Sequence, residues 1–222
     1  MVLEENLKGL CSKFGVDYVG FLSDLGVENP HELTVFDLRA ISEEYEVDLY
    51  ALLFKPLFSL THLQAKLDNI RLLVLDVDGV MTDGGMYFTE NGDQFKKFNT
   101  KDGMAVLHLT KNNFQVAIIS SGFVSNAIQK RAEMLGIQHC VVTRESKLDV
   151  LKRITKELQL ELNQVAIVGD DINDLEVMKN VGIAACPKDA VQEVKQYAHI
   201  ILQTDGGKGC VREFIDMYLT KK

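Results

Sequence analysis

The sequence of 222 residues contains no tryptophan, three prolines and four cysteines, and several of its absences exclude whole classes of function. Cys11, Cys140, Cys186 and Cys210 are scattered, without the short paired spacings that a zinc site or a redox motif requires, so reduced and mostly buried thiols are expected. Nowhere do about 18 apolar residues follow one another, so no segment reads as a bilayer span. The opening Met1-Val2-Leu3-Glu4-Glu5 has neither a cationic start nor a long apolar run, which makes the cytoplasm the expected location. Basic residues are outnumbered, 24 Lys and Arg against 32 Asp and Glu for a net charge of -8, and they form no cluster. Nucleic acid is therefore not an expected partner, because its phosphate backbone demands a cationic face. A small phosphorylated substrate is still allowed, since a metal ion and one placed Lys make an anion site locally.

What is present is ordinary core-forming material, 46% hydrophobic, arranged in two textures. Residues 1–67 read as a small all-α segment. Phe36, Leu38, Ile41, Tyr45, Leu49, Leu52 and Leu53 recur at roughly three-to-four spacing, and Asn29-Pro30 and Lys55-Pro56 mark helix boundaries. From 68 to 222 the pattern changes to short apolar runs at 72–75, 116–119, 140–142, 165–168, 182–185 and 200–202. Amphipathic stretches at 103–112, 124–135, 147–158 and 174–180 separate most of them, which predicts an α/β fold with a Rossmann-like, mainly parallel sheet and helices on both faces. One insertion departs from this alternation: 86–89 and 94–98 flank Glu90-Asn91-Gly92-Asp93, whose Asn-Gly favours a β-hairpin.

Parallel sheets bind ligands beyond the carboxyl ends of their strands, and three such ends are polar in a matching way. Leu75 is followed by Asp76-Val77-Asp78-Gly79, Ile119 by Ser120-Ser121-Gly122, and Val168 by Gly169-Asp170-Asp171; Lys147 follows the 140–142 run. Singly, each has a bland explanation, because Asp-Gly is common turn chemistry, Ser caps helices and Lys is usually solvated. Together they put several carboxylates at one edge, where mutual repulsion calls for a cation. Hard oxygen donors suit Mg2+, which takes one or two carboxylates and binds substrate phosphate in its remaining positions. Asp76 can then serve as a nucleophile that accepts a phosphoryl group, with Lys147 and the Ser120 hydroxyl offsetting charge on the transferring oxygens. Asp78 can protonate the leaving alcohol and afterwards activate the water that breaks the aspartyl-phosphate.

The ordered set Asp76-Val77-Asp78-Gly79, Ser120, Lys147 and Gly169-Asp170-Asp171 resembles the four motifs of the haloacid dehalogenase superfamily over about residues 70–215. That resemblance implies a phosphatase in which Asp76 is nucleophile and metal ligand, Asp78 is acid/base and binds metal through its carbonyl, and Asp170 is a further ligand. Asp171 and Asp174 support them from behind. The stretches 71–82, Phe98-Asn99-Thr100-Lys101-Asp102-Gly103, 168–174 and Gly206-Gly207-Lys208-Gly209-Cys210-Val211-Arg212-Glu213 look most like the capless branch that acts on octulosonate 8-phosphate and nonulosonate 9-phosphate sugar acids. In that branch hairpins assemble a homotetramer and a neighbouring subunit closes the site, which makes Asn99, Lys101, Asp102, Ser121, Gly122 and Lys208 candidates on the substrate side. Where the branch carries an Arg or Glu specificity residue, this chain reads Ser121-Gly122-Phe123.

Three rival readings stand beside this one. A phosphatase of another small phosphorylated metabolite would keep the chemistry and change the substrate. A receiver-like signalling domain also gathers carboxylates, Ser/Thr, Lys and magnesium, but has no acid/base two residues after its phospho-accepting Asp. A phosphomutase would need a cap to exclude water, and too few residues separate the motifs for one. The stretch 38–49 faintly resembles part of a helix-turn-helix repressor, against which the acidic character of the segment argues.

Overall fold

The computed structural model describes residues 2–55, 57, 60–91, 94–122 and 126–220, with 60–62 described by backbone only. The chain divides into two compact units, Met1–Ala65 and Lys66–Lys222. Among the described residues the first carries helices Val2–Phe14, Tyr18–Asp24, Val35–Glu44 and Leu49–Phe54, the 3-10 turn Pro30–Glu32 and the start of helix Leu60–Asp68, and no strand. Polar side chains start these elements. Asp17, Asn29, Thr34 and Asp48 each accept from a backbone N–H of the first turn, and Thr34 with Asp37 closes a capping box. Pro30 sits at the first position of its turn, where the missing N–H costs nothing. Lys55 closes the helix Leu49–Phe54; Pro56 lies outside the described residues.

Leu7, Cys11, Phe21, Leu22, Leu33, Ile41 and Leu52 form the core of this unit. Asn6 is buried within it, its amide donating to the carbonyls of Leu52 at 2.8 Å and Lys55 at 2.7 Å while its oxygen accepts from the N–H of Leu57. The apolar stripe expected across 36–53 is interrupted at 45–48, and Phe36 points outward, 86% exposed. A three-to-four spacing does not say which face a residue falls on when the helix breaks midway.

The second unit is built on six parallel strands: β1 Leu72–Leu75, β4 Gln115–Ser121, β5 His139–Thr143, β6 Val165–Val168, β7 Ile183–Cys186 and β8 Ile200–Ile201. Their order across the sheet is β5-β4-β1-β6-β7-β8. β1, β6 and β7 are buried along their whole length, which is why they read as unbroken apolar runs. From β1 the chain steps outward to β4 and β5, then crosses to β6 and steps the other way. Right-handed connections place the helices of the two halves on opposite faces. Helix Thr100–Lys111 accordingly packs on Cys210–Phe214, whereas Lys147–Leu158 packs on Leu175–Met178 and that in turn on Gln192–Tyr197. The point where the order reverses lies between β1 and β6, and ligands bind at such a switch point in open α/β sheets.

Between β1 and β4 two short antiparallel strands, β2 Tyr87–Phe88 and β3 Gln94–Phe95, form the hairpin. Its tip at Gly92-Asp93 lies outside the described residues, as does the start of the helix expected from 124, which is described as Asn126–Met134. Cys11, Cys186 and Cys210 are buried, and among the described residues no disulfide links the four cysteines. Among the described residues no helix is long and apolar enough to cross a membrane.

Candidate active site

Leu75 pairs with Ile118 on one side and Val168 on the other, so Asp76, Ser120 and Asp170 all leave the sheet at the same edge. Asp76 is buried, and its N–H donates to the Val168 carbonyl at 3.1 Å. The chain then turns through Val77–Met81, in which Gly79 adopts φ 86° and the Thr82 N–H closes onto the Val77 carbonyl at 2.9 Å. Only glycine fits at 79. A Cβ there would stand 1.9 Å from Asp170 Oδ2, and one at Gly169 would stand 2.5 Å from the Asp174 carboxyl carbon. Gly79→Ala is therefore expected to displace Asp170 and to cost roughly 1–3 kcal/mol through the left-handed backbone alone, read as a lower midpoint in thermal unfolding.

Lys147 is the first residue of helix Lys147–Leu158, behind the N-cap Ser146. A cation there opposes the helix dipole, and it is held by two buried carboxylates: Nζ lies 2.8 Å from Asp76 Oδ1 and 2.7 Å from Asp174 Oδ1. Burial drives the ammonium toward neutrality, but those two charges more than reverse it and leave the pKa raised. Asp174 is fully spoken for, because its other oxygen accepts from the N–H of Asp170 at 3.1 Å and, longer, from that of Asp171. Asp171 is exposed and caps the 3-10 turn Ile172–Asp174.

Asp76, Asp170 and Asp174 bring carboxylate oxygens within 4.8 Å of one another. Asp170 Oδ1 is buried without a hydrogen-bond partner among the described residues. Burial first, and then repulsion from Asp76, Asp174 and Asp171, push the Asp170 carboxyl up to about 8; Asp76 is raised as well, by burial and by Asp174. Three crowded carboxylates, two of them on one ammonium and the third, Asp170, with an unsatisfied buried oxygen, match the hard-donor set of a magnesium site. With Asp174 engaged by Lys147 and two amides, Asp76 and Asp170 are the side chains able to hold the ion.

Asp78 sits at the mouth, 42% exposed at its side chain, where Oδ1 takes the Lys96 ammonium at 2.5 Å and the Thr82 hydroxyl at 3.3 Å. Nothing in the sequence singles out Lys96, because a Lys in a short amphipathic strand normally marks the solvated side. Ser120 is buried at the end of β4 and Ser121 beside it is exposed; Phe123 lies outside the described residues.

The remaining substrate-side candidates divide. Lys101 is exposed at the start of its helix, and Lys208 pairs with Asp205 at 2.7 Å. Asn99 and Asp102 are engaged elsewhere. The Asn99 oxygen accepts from the Lys101 N–H and its amide donates to the Gly207 carbonyl. Asp102 Oδ1 accepts from the Arg212 N–H at 2.7 Å. Both side chains fix the 206–212 turn, which is seated on the Asp76 loop: the Gly207 N–H and Cys210 Sγ both donate to the Val80 carbonyl, and a Cβ at Gly206 would collide with the Gly79 carbonyl.

Burial outweighs the donors at Asp102 and raises its carboxyl from 3.8 to about 6, with Oδ2 buried and unpartnered among the described residues. Between those values the native state keeps a proton that the unfolded chain has lost. The stability this proton lends is complete below about 3.8 and lost as pH rises through about 6. Asp102→Asn cannot titrate, so its unfolding free energy should gain on the parent, by up to roughly 3 kcal/mol, as denaturant melts are moved from pH ~4 to pH ~8.

Comparison with known proteins agrees with this geometry. Residues 141–215 match the family model described as haloacid dehalogenase-like hydrolase. The 3-deoxy-D-manno-octulosonate 8-phosphate phosphatase of Salmonella typhi is 38% identical over 159 residues, 72% of this chain and 84% of that protein. The chain belongs to the haloacid dehalogenase-like hydrolases. Within them it is a phosphatase, as its relatives are. Two solved structures resemble this haloacid dehalogenase-like phosphatase throughout the matched region. The Yersinia pestis octulosonate 8-phosphate phosphatase has a TM-score of 0.68 and 38% identity, covering 71% of this chain and 85% of that one. The enzyme of the same name from Moraxella catarrhalis has a TM-score of 0.69 and 30% identity, covering 72% and 92%, and is in complex with a magnesium ion, a phosphate ion and a KDO molecule. Mg2+ is the metal of this phosphatase family.

Proposed function

We propose that this phosphatase hydrolyses the monoester of a phosphorylated 3-deoxy sugar acid, with 3-deoxy-D-manno-octulosonate 8-phosphate the first candidate, through an aspartyl-phosphate on Asp76. The observation that carries this reading is the convergence of Asp76, Asp170 and Lys147 at the switch point of the sheet, with a buried Asp170 oxygen left unsatisfied. Asp76, Asp170 and the Asp78 carbonyl would hold Mg2+, which when bound neutralises charge on the phosphate oxygens.

Asp76 attacks phosphorus with the carboxylate oxygen that Lys147 does not engage. As the bond from phosphorus to the sugar oxygen breaks, Asp78 gives its proton to that oxygen, and the sugar acid leaves as a neutral alcohol. Asp78 then takes a proton from the water that attacks the phosphorus of the aspartyl-phosphate, so inorganic phosphate departs and Asp76 is regenerated. Lys147 keeps Asp76 from rotating and, with the Ser120 hydroxyl, faces the transferring oxygens. Asp174 and Asp171 brace the Asp170 loop, Lys101, Ser121, Gly122 and Lys208 line the substrate side, and Asn99 and Asp102 act by holding the 206–212 turn.

Phosphate release from a panel of phosphorylated sugars and sugar acids tests this, with Mg2+ and with a chelator. Turnover of a 3-deoxy sugar-acid phosphate that the chelator abolishes supports it. Metal-dependent turnover confined to other phosphates would keep the chemistry and move the substrate, a result that the missing charged residue after Ser120 would then explain. Metal-independent turnover would overturn the mechanism.

We also propose a cytoplasmic homotetramer assembled through the hairpin of 86–98, on which Met86, Tyr87, Phe88 and Phe95 are exposed. Light scattering is expected to give about four chain masses. The helical segment 1–67 is proposed as an appended module outside the phosphatase chemistry of 68–222.

A further inference from the structure

We infer that Lys96 is a positioning residue for departure of the leaving group, its ammonium holding the Asp78 carboxyl by Oδ1 so that the proton carried on Oδ2 faces the leaving oxygen. This rests on the acid/base role proposed for Asp78. Lys96 directly follows β3 on the return limb of the hairpin, yet its side chain is only 6% exposed and its ammonium meets Asp78 Oδ1 at 2.5 Å. Lysines are almost never this buried unless paired, and here the partner is a carboxylate whose own side chain is 42% exposed.

Asp78 needs such a partner. It stands in a loop with φ -81° and ψ 118°, just before the left-handed Gly79, so no helix or strand fixes its side chain. Thr82 reaches the same oxygen from within the loop, at a longer 3.3 Å. Both contacts fall on Oδ1, which leaves Oδ2 to pass the proton. The neighbouring Lys97 supplies a built-in contrast. It joins Asp83 at 3.2 Å with its own side chain 72% exposed, an ordinary surface pair. Two successive lysines thus clip the hairpin to the loop after the nucleophile, but only one touches a group that reacts.

The test compares two leaving groups on one enzyme. An alkyl alcohol must be protonated as it leaves, whereas 4-nitrophenolate departs without help. Lys96→Met and Lys96→Gln should each lower the single-turnover rate of alcohol release, which reads the first step before the shared hydrolysis of the aspartyl-phosphate, about 10- to 100-fold on the best primary alkyl phosphate of the panel, part of the 10²–10⁴ that general acids contribute. On 4-nitrophenyl phosphate the single-turnover rate of 4-nitrophenolate release should change less than about threefold. Lys96→Arg should recover most of the loss, and Lys97→Met should leave the ratio of the two substrates unchanged.

Equal losses on both substrates, or no loss on either, would overturn the inference, because a merely structural lysine or an idle one cannot tell the leaving groups apart. Asp78→Asn separates this from failure of the parent reading. If Asp78→Asn shows the split and the Lys96 variants do not, Lys96 is not its positioner and the acid/base role of Asp78 stands; if Asp78→Asn shows no split, that role falls and the inference with it.

Discussion

Replacing Asp76 by Asn is expected to cut phosphate release by at least roughly 10⁴-fold, since in the proposed mechanism loss of the nucleophile removes the covalent step itself, while leaving the protein folded. The amide is nearly isosteric and can still present an oxygen to Lys147, so the 2.8 Å contact survives in form. It also removes one of three crowded negative charges, those of Asp76, Asp170 and Asp174. In chelator the Asn variant should therefore melt no lower than the parent, and the parent should gain more from added Mg2+ than the variant does. A site that gives up stability for reactivity behaves in this way. Normal turnover by the variant would remove Asp76 from the mechanism, and a collapse of its melting temperature would show that the carboxylate is needed for folding.

Lys147→Met is the counterpart, expected to be destructive to stability as well as to activity. Methionine fills the same space, but Asp76 and Asp174 would then be enclosed with no cation, and breaking a buried pair in this way typically costs about 3–5 kcal/mol. The loss should be largest in chelator and at high pH. Added Mg2+ should return part of it by supplying charge to Asp76, and lowering the pH should return part of it by protonating the stranded carboxylates. Denaturant titrations at two pH values, with and without metal, measure all of this. A variant as stable as the parent at pH ~8 in chelator would mean that water reaches the cluster and that the ion pair carries little weight.

The sheet was readable in advance because its central strands are enclosed on both faces and so appear as bare apolar runs, with the candidate site residues as the first polar side chains after them. Asp76, Ser120 and Asp170 are legible for that reason. Lys147 is legible from its place after β5 and from the family motif, although its contact with Asp174 spans 27 residues and no local pattern encodes it. Lys96 was invisible, since burial of a charged side chain depends on where the hairpin folds back. Asn99 and Asp102 stand out in the sequence as substrate-side candidates by family resemblance, but their contacts with Gly207 and Arg212, 108 and 110 residues further on, are encoded by no local pattern. In the helical unit the helical character followed from apolar spacing and the boundary at Asn29-Pro30 from its proline, whereas the outward face of Phe36 depended on where one helix ended and the next began.

The seating of the 206–212 turn on the Asp76 loop also sets a timetable for synthesis. The Val80 carbonyl waits for Cys210, 130 residues later, and at roughly 5–20 residues per second the ribosome needs on the order of 10 seconds to supply it. A growing chain thus carries Asp76 long before the wall that shapes the surrounding loop, and phosphatase activity should appear late and abruptly, with the arrival of the turn rather than with the emergence of Asp76.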